Sequence, residues 1–232
     1  MRSKNIFLSF LCLLHIGYCK AADFVERDPR IWEKDIIALE EKTRTNLDNS
    51  DRILFVGSSS IRLWPNLEEN MHPFKIIQHG FGGARINDVL FYSDRLINQF
   101  FPKAVVIFVG TNDINLKAIK PAEKIKDDFV KLIDKIKIDL PETPIFYINI
   151  TPSPKRWSVW EHSIKTNNLI LESSKKLDNV FIIDTCIELI GINGEPDPDM
   201  YQHDKLHLSG KGYDVWKKII KKVLLEKLGI QH

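Results

Sequence analysis

Short apolar runs alternating with longer segments of helical period predict an α/β protein, a three-layer sandwich with helices on both faces of a five-stranded parallel sheet. Two observations sharpen this. The apolar runs are continuous, as strands buried on both faces must be. A chain of 232 residues with 44% hydrophobic content is long enough to bury such a core within one domain.

At the N-terminus, Arg2 and Lys4 precede an apolar run from Ile6 through Cys19, and small residues follow at Ala21 and Ala22. This is the pattern of a secretory signal peptide, too short and interrupted for a spanning helix. The expectation is a signal over residues 1–21, a domain over residues 22–232, and export to the periplasm or the medium without stable membrane insertion. Loss of Arg2, Lys4 and Lys20 turns a net charge of +2 slightly negative. Charge so near balance argues against a nucleic-acid partner, which needs a dominant basic face. Two of the three cysteines fall in the signal, so Cys186 has no intramolecular partner in the exported chain, and its place after an apolar run reads as a small buried residue.

Past the signal, Ile31, Trp32, Ile36 and Leu39 give an amphipathic helix. The first strand is Ile53 to Val56 and the second Phe74 to Ile77. A helical pattern from Val89 to Ile97 leads to a third strand at Ala104 to Val109. A helix through Ile125, Phe129, Leu132, Ile133 and Ile136 precedes a fourth strand at Ile145 to Ile150, with a turn at Pro141 to Pro144 between them. A helix over Ile164 to Leu177, a fifth strand at Val180 to Ile183 and a last helix over Tyr213 to Leu228 complete the frame. Each strand is rich in β-branched or aromatic residues.

Ligands bind beyond the carboxyl ends of parallel strands, so the residues after each strand carry the information on function. The first strand is followed by Gly57-Ser58-Ser59-Ser60, the second by Gly80-Phe81-Gly82-Gly83, and the third by Gly110-Thr111-Asn112-Asp113. Near the C-terminus, Asp204-Lys205-Leu206-His207 stands just before the last helix. Together these supply a nucleophilic hydroxyl, a base, an acid to orient the base, and donors for an oxyanion. Singly, each block has an ordinary structural reading: a helix cap, a glycine loop, an Asx turn.

The four blocks in order resemble the SGNH hydrolases, the GDSL esterase/lipase family, over nearly the whole mature chain. The resemblance implies a flavodoxin-like sandwich and a cofactor-free serine esterase. It implies Ser59 as nucleophile, Asp204 and His207 completing a triad, and the Ser59 N–H, the Gly83 N–H and the Asn112 amide as the oxyanion hole. Ser58 departs from the family's usual Asp before the nucleophile, and Trp64, five positions after Ser59, fits the family's aromatic position.

Around this core, Trp157 and Trp160 with Lys155 and Arg156 follow the fourth strand; they read either as the leaving-group side of the pocket, suited to a sugar or anionic carrier, or as part of a proline-stiffened loop whose tryptophans pack on the body. His79 either borders the pocket or is a satisfied structural histidine. His203 and His207 with Asp197, Asp199 and Asp204 keep a metal-dependent hydrolase in view, and a catalytically silent carbohydrate-binding relative is the third class. With no long apolar insertion between the β/α units, the expected substrate is a small-molecule or carbohydrate ester with a short, acetyl-type acyl group. Lysophospholipase and thioesterase activities are the alternatives within the family. Oligomeric state is not encoded legibly.

Overall fold

The computed structural model describes residues 24–44 and 51–230; the expected signal over residues 1–21 lies outside them. A five-stranded sheet in the order β2-β1-β3-β6-β7 forms the centre, with every neighbouring pair parallel. Its strands are β1 (Arg52–Gly57), β2 (Lys75–Gly80), β3 (Ala104–Phe108), β6 (Ile145–Ile148) and β7 (Val180–Ile183). Between β3 and the next long helix sits a two-stranded antiparallel hairpin, β4 (Ile114–Asn115) and β5 (Ala118–Ile119), which the sequence pattern does not announce. The helices are α1 (Glu33–Arg44), α2 (Ser59–Arg62), α3 (Leu67–Asn70), α4 (Ile86–Phe91), α5 (Ser93–Leu96), α6 (Ala122–Asp139), α7 (Trp160–Ser174) and α8 (Gly210–Lys227).

Successive side chains of β1 serve opposite layers, as the strand period of two demands. Leu54 and Val56 pack with Ile36 of α1, Val89 of α4, Phe129 of α6 and Ile170 of α7. Ile53 and Phe55 pack with Ile61 of α2, Leu67 of α3 and Trp216 and Ile220 of α8. The expected three layers are therefore present. No helix among the described residues is long and apolar enough to cross a membrane.

Several expected boundaries move: the fourth strand ends at Ile148, and α7 and α8 begin at Trp160 and Gly210. The second strand runs on through Gln78, His79 and Gly80, because its polar residues find partners inside the fold: the Gln78 amide donates to the Ile61 carbonyl at 2.6 Å. The single helix expected over Val89 to Ile97 is two short ones, broken at Tyr92.

The aromatic filling of the second layer ties distant parts of the chain together. Trp64 stacks on Tyr213 with ring centroids 5.3 Å apart and meets Trp216 edge-on at 5.6 Å. The Tyr213 hydroxyl donates to the Ser60 carbonyl at 2.9 Å, so the start of α8 is fastened to the turn that follows β1.

That turn begins at Gly57, where β1 passes so close to β3 that a Cβ would lie 1.9 Å from the Phe108 carbonyl oxygen, at a φ of +147°. The obstacle is strand backbone, which cannot swing aside as a flexible side chain could. Gly57→Ala is therefore expected to cost about 3 kcal/mol or more, read as a lowered midpoint in urea unfolding with an unchanged slope.

Candidate active site

The residues after β1, after β3 and before α8 converge at the carboxyl edge of the sheet. Ser59 is the first residue of α2, with Ser58 in extended conformation as its N-cap. The Ser58 N–H donates to the Phe108 carbonyl at 3.0 Å, which pins the start of the turn to the adjacent strand. Ser59 Oγ lies 2.9 Å from His207 Nε2.

The loop that delivers His207 is closed on itself. Tyr201 and Leu208 form an antiparallel bridge, the Gln202 N–H donates to the His207 carbonyl at 2.8 Å, and Lys205 takes a left-handed conformation at φ +61°. Inside this loop Asp204 Oδ1 accepts from the backbone N–H groups of Leu206 and His207, each at 3.0 Å. Its other oxygen pairs with His207 Nδ1. Those partners fix the tautomer of the neutral ring, which donates from Nδ1 to Asp204 and accepts at Nε2 from the serine hydroxyl. Partial desolvation pulls the Asp204 carboxyl upward, but the backbone donors and the His207 ring outweigh it and hold the group down to about 2.

Asn112 faces the same cleft, and one hydrogen of its amide goes to the Ala84 carbonyl at 3.0 Å, leaving the second for a ligand. The cleft holds about 20 Å³ between Ser59, Asn112, His207, Thr111, Ser153 and Leu206. Thr111 Oγ1 and Ser153 Oγ are buried there without a hydrogen-bonding partner. Neither hydroxyl stands out in the sequence; the Thr-Pro-Ser-Pro run at 151–154, with a polar residue on each side of Pro152, is the signal that points to Ser153. The larger concavity beside it, lined by Gln202, His203, Lys205 and Lys211, is open surface on the outer side of the Asp204 loop.

Gly83, at φ +73°, follows β2 at the same edge of the sheet, its carbonyl held by Arg27. Other expected residues fall elsewhere. Trp157 and Trp160 stack on each other with centroids 6.2 Å apart and are not among the residues around the cleft, because their segment folds as a 3₁₀ turn running into α7. What ties that segment to the site is backbone, the Lys155 N–H donating to the Lys205 carbonyl at 2.9 Å. Asp199 pairs with Lys211, Asp197 accepts from the Asp199 N–H, and His203 is exposed. Among the described residues no three His, Cys, Asp or Glu side chains are grouped as metal ligands would be. Cys186 is half-buried, its thiol pushed up by burial and donating to the Ile150 carbonyl, remote in role from the serine.

A buried charge cluster lies behind Asn112. Asp113 accepts from the Ile86 N–H at 3.0 Å and stands 3.5 Å from the fully buried Lys120 Nζ, which also pairs with Glu26 and Asp128. Burial drives the Asp113 carboxyl up to about 7 while Lys120 opposes it. Neither partner of this pair is apparent from sequence spacing.

The GDSL-like Lipase/Acylhydrolase family model matches residues 56–215 of the chain. Among solved structures, a GDSL-like lipase from Bacteroides thetaiotaomicron is 18% identical at a TM-score of 0.64, covering 86% of this chain and 98% of that one. A carbohydrate esterase family 3 protein from Talaromyces cellulolyticus is 16% identical at a TM-score of 0.63, covering 78% and 99%. An acetyl esterase variant solved with acetate ion is 14% identical at a TM-score of 0.61, covering 77% and 98%. At these identities the structural likeness is one of fold. No curated protein matches the chain.

Of its two readings, His79 takes the structural one: it is a core residue and does not border the pocket. It is 1% exposed, donates from Nδ1 to the Leu96 carbonyl and accepts at Nε2 from the Thr43 hydroxyl, both at 2.7 Å, and meets Phe100 edge-on. Burial lowers its pKa to about 4. As pH falls from the free-histidine value near ~6.5 toward 4, the unfolded chain takes up a proton that the folded one refuses, so stability declines across that window. Urea titrations at pH 7 and pH 4.5 should show this fall, and His79→Gln, less stable at pH 7, should lose less between the two.

Proposed function

The chain belongs to the GDSL-like lipase/acylhydrolase family, hydrolases of carboxylic esters, and we propose that it is an exported serine esterase that removes acetyl or similarly short acyl groups from a polar carrier. The observation that carries this reading is the continuous line from Asp204 through His207 to Ser59, with 2.9 Å between base and hydroxyl, opening on the cleft that Asn112 faces.

The chemistry follows from the hydrogen bonds. A serine hydroxyl attacks an ester carbonyl only when its proton is taken, and neutral His207 Nε2 is positioned to take it. The imidazolium that forms is stabilised by Asp204, which remains ionised throughout. The developing oxyanion meets the free hydrogen of the Asn112 amide and the Ser59 N–H, which as the first residue of a helical turn lacks an intrahelical partner. The Gly83 N–H joins them on the strength of the family pattern. His207 then protonates the leaving alkoxide, and water repeats the sequence to release the acid.

Two features support the substrate class. The cleft beside Ser59 has room of about 20 Å³, on the scale of a single small group and far short of an extended alkyl chain. The hydroxyl-bearing side chains of Thr111 and Ser153 line the cleft with Ser59 and Asn112, a polar wall that suits a polar substrate better than an alkyl chain. The carbohydrate esterase and acetyl esterase among the fold neighbours are consistent with this class. Export is supported by the sequence of residues 1–21, a charged start followed by an apolar run and small residues.

Ser59→Ala should abolish labelling by a fluorophosphonate probe, whereas Ser58→Ala and Ser60→Ala keep measurable turnover, and wild-type labelling should persist in EDTA. An adduct mapped by mass spectrometry to Ser58 or Ser60 defeats the assignment, and loss of activity in EDTA favours a metal-dependent hydrolase. Asp204→Asn should lower kcat/KM by about a hundredfold or more with its melting temperature near that of the wild type.

On p-nitrophenyl esters, kcat/KM should fall in the order acetate, butyrate, octanoate in detergent-free buffer. Faster cleavage of octanoate turns the reading toward a lysophospholipase or thioesterase.

A further inference from the structure

We infer that residues 24–28 form a positioning strap for the loop that carries Gly83, with Arg27 as the side chain that sets the loop; this rests on the esterase reading above. The Arg27 guanidinium donates to the Gly83 carbonyl at 2.6 Å and pairs with Asp88, whose side chain is 1% exposed. Asp88 in turn accepts from the Arg85 N–H at 2.8 Å. One arginine therefore grips the loop at Gly83 directly and at Arg85 through a shared carboxylate.

The neighbours of Arg27 reinforce the grip. Its guanidinium lies over the Trp32 ring, 4.9 Å from the centroid, and that ring is the surface nearest to Gly83, 3.8 Å from where a Cβ would stand. Upstream, Glu26 pairs with the buried Lys120, and Arg85 lies over Phe24 and donates to the Val25 carbonyl. From the other side Asn112 holds the Ala84 carbonyl and Asp113 holds the Ile86 N–H. The strap and the residues after β3 thus clamp Gly83 to Ile86 between them.

Gly83 needs such a clamp because glycine at φ +73° has no side chain to restrict its rotation. Arg27 fixes the peptide plane that follows Gly83 through its carbonyl, and the Phe81 N–H on the Gly57 carbonyl at 3.0 Å holds the chain just before the loop, so the rotation left to Gly83, and with it the direction of its N–H, is narrowed from both ends. An oxyanion donor misdirected by a fraction of an ångström binds the ground state nearly as well and the transition state much worse. Loss of Arg27 should therefore appear in kcat and leave KM almost unchanged. A residue that merely anchors the N-terminus predicts a lower melting temperature and a normal kcat.

The test compares Arg27→Gln with Arg95→Gln in the otherwise intact enzyme. Arg95 makes equivalent ion pairs with Glu33 and Glu40 of α1 and has no bond to the Gly83 loop, so it controls for lost stability. With p-nitrophenyl acetate, well below both melting temperatures, Arg27→Gln should lose about tenfold or more in kcat with KM within about threefold. Arg95→Gln should keep kcat within about twofold. Hydrogen exchange read by mass spectrometry should quicken over residues 82–86 in Arg27→Gln and stay at the wild-type rate in Arg95→Gln. Should Arg27→Gln fail to fold, Arg27→Lys, which keeps the charge against Asp88 but loses the planar fork, should show the same split at smaller size. A normal kcat in the folded Arg27 variant, or unchanged exchange over residues 82–86, overturns the strap. A wild type inert toward every ester overturns the esterase reading instead, and the exchange comparison still decides whether Arg27 holds the loop.

Discussion

The site exists because a serine is brought within one hydrogen bond of a histidine 148 residues away, and the interaction that makes this possible is the packing of α8 on the turn after β1. Trp64, Tyr213 and Trp216 interlock there, and Phe108 of the neighbouring strand meets Trp216 at 4.7 Å. Such rings bury large areas and prefer edge-on or offset contacts, so they fix orientation as well as distance. The Tyr213 hydroxyl on the Ser60 carbonyl converts that packing into a register between the nucleophile's turn and the start of α8. The His207 loop ends at Leu208, itself in the same apolar cluster, and so inherits its position from the aromatic core.

Sheet order accounts for the rest of the arrangement. With β1 flanked by β2 on one side and β3 on the other, the chain leaves β1 and β3 toward opposite directions of the sheet, and a crevice opens between their carboxyl ends. Ser59 follows β1 and Asn112 follows β3, so the proposed nucleophile and the proposed amide donor stand on the two banks of that crevice. The glycine loop after β2 meets this crevice at Asn112, whose amide holds the Ala84 carbonyl. Its backbone needs external support, from Arg27 and Trp32 on one side and from Asn112 and Asp113 on the other.

The parallel strands were legible in the sequence because burial on both faces forces continuous apolar runs, and the triad candidates because Ser59 follows the first strand and Asp204 and His207 stand just before the last helix, in the order the family resemblance implies. The end of β2 was less legible. Gln78 and His79 break the apolar run, yet both are paired inside the fold, and a periodicity argument cannot see a partner supplied by α1 or α2. The same limit explains Arg27, whose carbonyl partner lies 56 residues on, and Lys120, whose burial depends on carboxylates at 26, 113 and 128. Trp157 and Trp160 show the limit from the other side, since the sequence left open whether they wall the pocket or pack on the body. Aromatic residues after a strand suggest a binding wall, but a 3₁₀ turn rotates these two toward each other.

A last constraint comes from solvent. The side chains of His207 and Asp204 are 22% and 40% exposed, so water competes for both and low dielectric contributes little to their coupling. Orientation must therefore come from hydrogen bonds that hold the carboxylate independently of the ring. The two backbone donors to Asp204 Oδ1 do this, and they converge only because Lys205 accepts a left-handed backbone. The strain of that one residue is offset by the closed loop around it, from the Tyr201–Leu208 bridge to the Lys205 N–H on the Gln202 carbonyl. An exposed dyad organised in this way leaves one side of the cleft open to solvent, which suits the bulky carrier proposed above, while the space beside Ser59 and Asn112 suits the proposed short acyl group.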